Sequence, residues 1–178
     1  MKIFKFKVIL PLIMIVLSLG FVGCEKTKNA KEDSNESKIS VDKLLEYKDS
    51  YVGNNSAIGN IISNLPANIY NKKFELQTKS KPYEINIDYK DFEDTYVKFE
   101  DNTSITIPFS EAIKKNAMIL LSLVKNADMI NFNFENGTCI TYKRDELVDA
   151  HKNEYGVNLE KITQDKSSLE NFIKSDIN

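Results

Sequence analysis

Histidine occurs once in the 178 residues (His151), arginine once (Arg144) and cysteine twice (Cys24 and Cys139). A lone histidine leaves nucleophilic triads and histidine-based metal sites without partners, and no serine or cysteine lies in a recognisable nucleophile motif. One histidine and one free thiol also disfavour zinc. Cys139 has no CxxC companion and reads as a passive strand thiol. Asp88, Asp91, Glu93 and Asp94 lack the ordered loop and turn glycine of a calcium site, and read as a solvated acidic turn. No catalytic residue, metal or cofactor is therefore expected. The residual enzymatic candidate is His151 with Asp145 or Asp149. There is no internal repeat.

Positive charge is also short. The formal net charge is −2. Setting aside Lys2, Lys5 and Lys7 leaves 21 basic against 26 acidic residues, or −5. A mildly acidic body argues against nucleic acid as a partner, and against electrostatic adhesion to anionic lipid. The near-absence of arginine beside abundant lysine, asparagine and isoleucine looks like an AT-rich genome, and so a low-GC Gram-positive source.

What the chain does have is a leader. Lys2, Lys5 and Lys7 precede the apolar run Val8–Gly20, and the segment closes on Phe21-Val22-Gly23-Cys24. That is the layout of an export signal, with an apolar core shorter than the roughly 20 residues a spanning helix needs. A cysteine directly after Gly23 resembles the lipobox of bacterial lipoproteins, in which that cysteine is acylated and becomes the mature N-terminus; Phe21 stands where the lipobox usually has leucine. Two alternatives stay open: cleavage after Gly20, releasing a secreted protein, and an uncut anchor. The lipobox reading makes 1–23 a signal peptide and Cys24 the lipidation site. Residues 24–40 then form a disordered tether too polar to offset chain entropy. One domain, 41–178, follows. With Cys24 acylated, Cys139 has no partner for an internal disulfide.

Along that domain the period alternates between helix and strand. Ser40 is expected to cap a helix from Val41, and Asn55 or Ser56 a second one carrying Ala57, Ile58, Ile61 and Ile62, ended by Pro66. Phe74–Thr78, Tyr83–Tyr89, Tyr96–Glu100 and Ser104–Ile107 alternate as strands with one buried and one wet side. Ser110 is expected to cap the longest helix, 111–125, which is apolar almost all round and so buried on more than one side. Ile130–Phe134 and Cys139–Tyr142 read as a hairpin. Register selects a three-residue loop, Glu135-Asn136-Gly137, that pairs Phe132 with Ile140 and Ile130 with Tyr142 and turns Cys139 away from the aromatic face. Asp145 is expected to cap a helix ending at Tyr155-Gly156, and Ser167 a final short one. The expected fold is α+β: a two-layer sandwich with a mainly antiparallel sheet of about five strands packed against helices.

The run from Leu45 to Lys90 resembles a bacterial domain of unknown function, number 4825 in that series, through Tyr51-Val52-Gly53-Asn54-Asn55-Ser56, Leu65-Pro66, Glu75-Leu76-Gln77-Thr78 and Pro82-Tyr83-Glu84-Ile85. The Asn116–Asn126 helix with Ala127-Asp128 is similar to the family's second half. The resemblance implies an extracytoplasmic domain, often in lipoproteins of Firmicutes and sometimes attached to membrane sensor proteins, with no assigned reaction. The residues singled out for contact with a partner or ligand are Tyr51, Gly53, Asn54 and Asn55. Set against that is the reading of a tight turn, in which Gly53 supplies positive φ and a neighbour caps the next helix. The functional expectation is a lipid-anchored interaction or sensing module on the outer face of the cytoplasmic membrane. It would be held there by Cys24 and would meet an envelope membrane protein. The alternative is a small-ligand carrier or cell-envelope hydrolase.

Overall fold

A computed structural model describes residues 36–156 and 158–177. The leader, Cys24 and the first part of the tether lie outside the described residues. In chain order the elements are β1 (Glu36–Lys38), α1 (Val41–Glu46), α2 (Asn55–Ile62), β2 (Asn71–Gln77), β3 (Glu84–Tyr89), β4 (Asp94–Lys98), β5 (Ser104–Pro108), α3 (Phe109–Leu123), β6 (Met129–Phe134), β7 (Cys139–Lys143), α4 (Arg144–Tyr155) and α5 (Lys166–Lys174). Short 3-10 turns occupy 68–70 and 159–161.

The class is α+β, but the sheet differs from expectation. Two mixed sheets form, in the orders β1-β4-β5 and β2-β3-β6-β7. Each contains one parallel pair, β1 with β4 and β3 with β6. A strand also replaces the last part of the expected tether: Glu36, Ser37 and Lys38 pair with Tyr96, Val97 and Lys98. Ser37 is fully buried and meets Thr95 through their hydroxyls at 3.1 Å. A three-residue strand carries too little alternation to be read from its side chains.

Alternation in the four-stranded sheet sorts its faces cleanly. Register aligns Leu76, Ile85, Ile130 and Tyr142 in one row, and Phe74, Ile87, Phe132 and Ile140 in the next. The opposite face aligns Glu75, Asn86, Asn131 and Thr141. There the Asn131 amide donates to Glu84 and Asn86 and its oxygen accepts from Thr141, so a polar ladder crosses three strands. The β6–β7 hairpin has the register expected of it. Gly137 sits at φ +86, a conformation costly for residues with a Cβ, and Cys139 is exposed on the polar side.

Helix α3 packs against β4 and β5 of one sheet and β6 of the other. Ten of its fifteen residues are buried. It begins at Phe109 rather than after Ser110. Pro108 supplies the extended entry, the Phe109 N–H donates to the Glu93 carbonyl at 2.8 Å, and the Phe109 ring joins Phe92 and Phe134 edge-on. Packing that ring against its neighbours brings the start two residues forward. Caps shift elsewhere too. Asn54, not Asn55 or Ser56, caps α2, and Asp165, not Ser167, caps α5. Helix α4 starts at Arg144, with Asp145 in its first turn and not at the cap, and closes on left-handed Gly156. Ser40 caps α1 as expected, accepting from the Lys43 N–H.

Candidate functional site

The Tyr51–Asn55 loop is welded to the end of α3. The Ser50 N–H donates to the Leu123 carbonyl, the Lys125 N–H donates to the Ser50 carbonyl, and the Val52 N–H donates to Asn126 Oδ1 at 2.8 Å. The Val52 side chain is fully buried. Asn54 Oδ1 accepts from the Ala57 N–H at 3.1 Å, so its side chain is spent on the cap. Gly53 is not among the positive-φ residues; the left-handed residue at this corner is Asp49, at φ 67. A Cβ at Gly53 would meet nothing within 4 Å. The turn therefore does not require a glycine there, contrary to the tight-turn reading. Tyr51, Gly53, Asn54 and Asn55 are all exposed, and Tyr51 stands 56% in solvent. The loop offers an aromatic ring on backbone that is already ordered.

Asn126 is the hinge pin of this arrangement, and replacing it should show that. Asn126→Ala is expected to cost about 1–2 kcal/mol, the usual loss for a part-buried hydrogen bond whose donor is left unpaired. Hydrogen exchange should accelerate at Val52 while β6 stays protected. Unchanged exchange at Val52 would show that packing alone holds the loop.

A cleft of about 550 Å³ opens elsewhere, where α4 begins, lined by Pro82, Asp128, Met129, Lys143–Asp145, Val148, Asp149 and Glu160. Several of its polar groups already have structural work. The Arg144 guanidinium donates to the carbonyls of Val124 and Ala127, placing a cation on the carbonyl end of α3. Burial pulls that guanidinium below its ordinary value, and the carboxylates of Glu160 and Asp128 oppose the shift. Asp128 accepts from the Tyr83 N–H and also donates its own N–H to the Tyr83 carbonyl, pinning the start of β3 beside β6. Asp145, Asp149 and Glu160 are exposed. Among the described residues, no serine, threonine, cysteine, histidine or tyrosine lines this cleft.

His151 is buried at 5% exposure and lines a separate cavity of about 210 Å³ with Ile162, Phe172 and Ile177. Asp145 and Asp149 share a helix face four residues apart, and a residue two positions on from Asp149 does not face it. The candidate hydrolytic pairing is thus divided between two cavities. The acidic run is divided as well. Asp88 lies on the polar sheet face against Lys73 and Asn133, whereas Asp91 accepts from the Asn136 N–H. Asn126, Asp128 and Arg144 are site builders that the sequence does not announce. Their partners are main-chain groups far along the chain, which no local spacing announces.

No curated protein and no solved structure matches the chain. A family described as a domain of unknown function, DUF4825, matches residues 44–145. That interval takes in every strand except β1, together with α2 and α3, the Tyr51 loop and the Asn126–Asp128 corner that holds it. The chain belongs to the DUF4825 family.

Proposed function

We propose that this chain is a lipid-anchored interaction or sensing module on the outer face of the cytoplasmic membrane of a Gram-positive cell, without catalytic activity. The observation that supports the reading best is the Tyr51 loop. An aromatic side chain half in solvent, on backbone clamped at Ser50, Val52 and Asn54, makes contact at little ordering cost. The anchor follows from the basic leader ending in Cys24, since two acyl chains hold a protein at a bilayer stably.

A photocrosslinking residue at position 51, used in living cells with and without Cys24→Ala, tests both halves. Capture of one membrane protein from position 51, lost with Cys24→Ala, is the expected result. Absence of any adduct at 51 removes the loop as the contact. Cys24→Ala is also expected to shift the protein from the membrane to the medium. Equal membrane binding would overturn lipidation and favour the uncut anchor, while a wild-type protein found in the medium would favour secretion.

The cleft beside α4 favours a second reading, a carrier for a small cationic ligand. Asp128, Asp145, Asp149 and Glu160 outnumber Lys143 and Arg144 there.

A further inference from the structure

The outer face of the three-stranded sheet is a surface of unusual character for this chain. Its rows are Glu36–Tyr96–Thr106 and Lys38–Lys98–Ser104, with Asp94 and Pro108 paired at one end. Thr95, Val97 and Ile107 turn inward and are buried, whereas Tyr96 is 52% exposed at the centre. Residues 36–178 carry 18 basic and 23 acidic groups, or −5. This face carries two of each, Lys38 and Lys98 against Glu36 and Asp94, and Lys98 lies 3.8 Å from Glu36. It is a neutral patch on an acidic body. Beside it, Asn68 donates to the Lys38 carbonyl at 3.0 Å, placing the 68–70 turn with exposed Ile69 along β1.

We propose that this face, centred on Tyr96, rests against the headgroup region of the bilayer that anchors the chain. The inference builds on the anchored reading above, and its second support is where the chain outside the described residues ends. That chain enters the domain at Glu36, on the row that contains Tyr96. Eleven residues separate Cys24 from Glu36. Covalent geometry lets them span no more than about 40 Å. A domain of this size is itself about 35–40 Å across. The short leash favours contact through the surface from which it leaves. Anionic headgroups repel the acidic remainder, and the neutral face escapes that penalty. Tyrosine is the side chain that gains at such an interface, with its ring among apolar groups and its hydroxyl in water. Lys38 and Lys98 lay their methylenes alongside it and keep their ammonium groups at the phosphates.

The chain contains no tryptophan, so a single introduced one reports on its own surroundings. Full-length protein carrying Cys139→Ser and either Tyr96→Trp or Tyr51→Trp is extracted from membranes. Each variant is then reconstituted into phosphatidylcholine–phosphatidylglycerol vesicles containing lipids with nitroxide headgroups. Quenching of the tryptophan at 96 is expected to exceed that at 51 by at least about twofold, with a blue-shifted emission. Equal quenching, or stronger quenching at 51, overturns the proposal. Thr106→Trp, on the same row, repeats the measurement if Tyr96→Trp fails to fold. The mass of the N-terminal peptide reports acylation separately. If Cys24 carries no lipid, coupling its thiol to a maleimide lipid restores the same tether point. The face is then tested even where the anchored reading has failed.

Discussion

Lys115→Met is expected to remove about 3–5 kcal/mol of folding stability, the loss typical of taking one partner from a buried ion pair. Lys115 is 1% exposed on α3, in a helix otherwise apolar almost all round. Its ammonium group lies 2.7 Å from Glu111 Oε1 and donates to the carbonyls of Ile173 and Ser175. Glu111 Oε1 in turn accepts from the Ile177 N–H at 3.1 Å. One cation therefore satisfies a partly buried carboxylate and the open carbonyl end of α5 together, where it also meets the helix dipole favourably. Methionine keeps the volume and supplies none of those donors. Urea denaturation reads the loss. Hydrogen exchange locates it, with protection in 166–177 falling before that of β3 and β6. In Glu111→Leu/Lys115→Met the charge penalty disappears but the carbonyls remain unpaired, so part of the stability should return. A single variant within about 1 kcal/mol of wild type would mean that water reaches the site and solvates the remaining groups.

That pair also shows where sequence reading reaches its limit. The periodicity of 111–125 locates a helix buried on several sides, and the structure confirms it. Nothing in that pattern tells that Lys115 points inward, because the carbonyls that hold it there lie about sixty residues away at the end of α5. The β6–β7 hairpin stands at the other extreme. Its register follows from three local facts: aromatic alternation on one strand, Ile140 and Tyr142 on the other, and a glycine at the position needing positive φ. The two parallel pairings were not legible, because β3 meets β6 across an intervening sheet and helix, and β1 meets β4 through three residues without alternation. At Phe109 tertiary packing overrules local preference, whereas at Asn54 and Asp165 a capping side chain one or two residues upstream takes the role. Of the candidate site, the break between α1 and α2 at Gly53-Asn54-Asn55 is legible in the sequence. Its clamping by Asn126 is not, since that contact joins residues seventy-four apart.

The second large effect lies at Tyr89, where size and ionisation separate cleanly. Its ring is 1% exposed and meets Phe92, Phe132 and Phe134 at centroid distances of 6.1, 5.9 and 6.1 Å. Tyr89→Ala empties the middle of that cluster and is expected to cost about 3–5 kcal/mol, as buried aromatic truncations do. Tyr89→Phe keeps the ring and loses only a long 3.4 Å contact from the Asn116 amide, which still donates to the Pro66 carbonyl at 2.7 Å. Near neutral pH it should therefore sit within about 1 kcal/mol of wild type. The two proteins should part in alkali. Burial raises the Tyr89 phenol above its ordinary value of 10.0, while the Asn116 amide acts weakly the other way. Above pH 10 the unfolded chain gives up this proton and the folded chain keeps it. The folded state then binds more protons, and stability falls as pH rises towards the folded value. One such group contributes a slope of up to about 1.4 kcal/mol per pH unit. Burial raises Tyr142 in the same direction, and burial with the Asp94 carboxylate raises Tyr70, so Tyr89→Phe should flatten the alkaline decline without abolishing it. Urea midpoints from pH 8 to pH 11 read the difference. Parallel declines in the two proteins would show that Tyr89 ionises as readily folded as unfolded, which a ring sealed within this aromatic cluster does not allow.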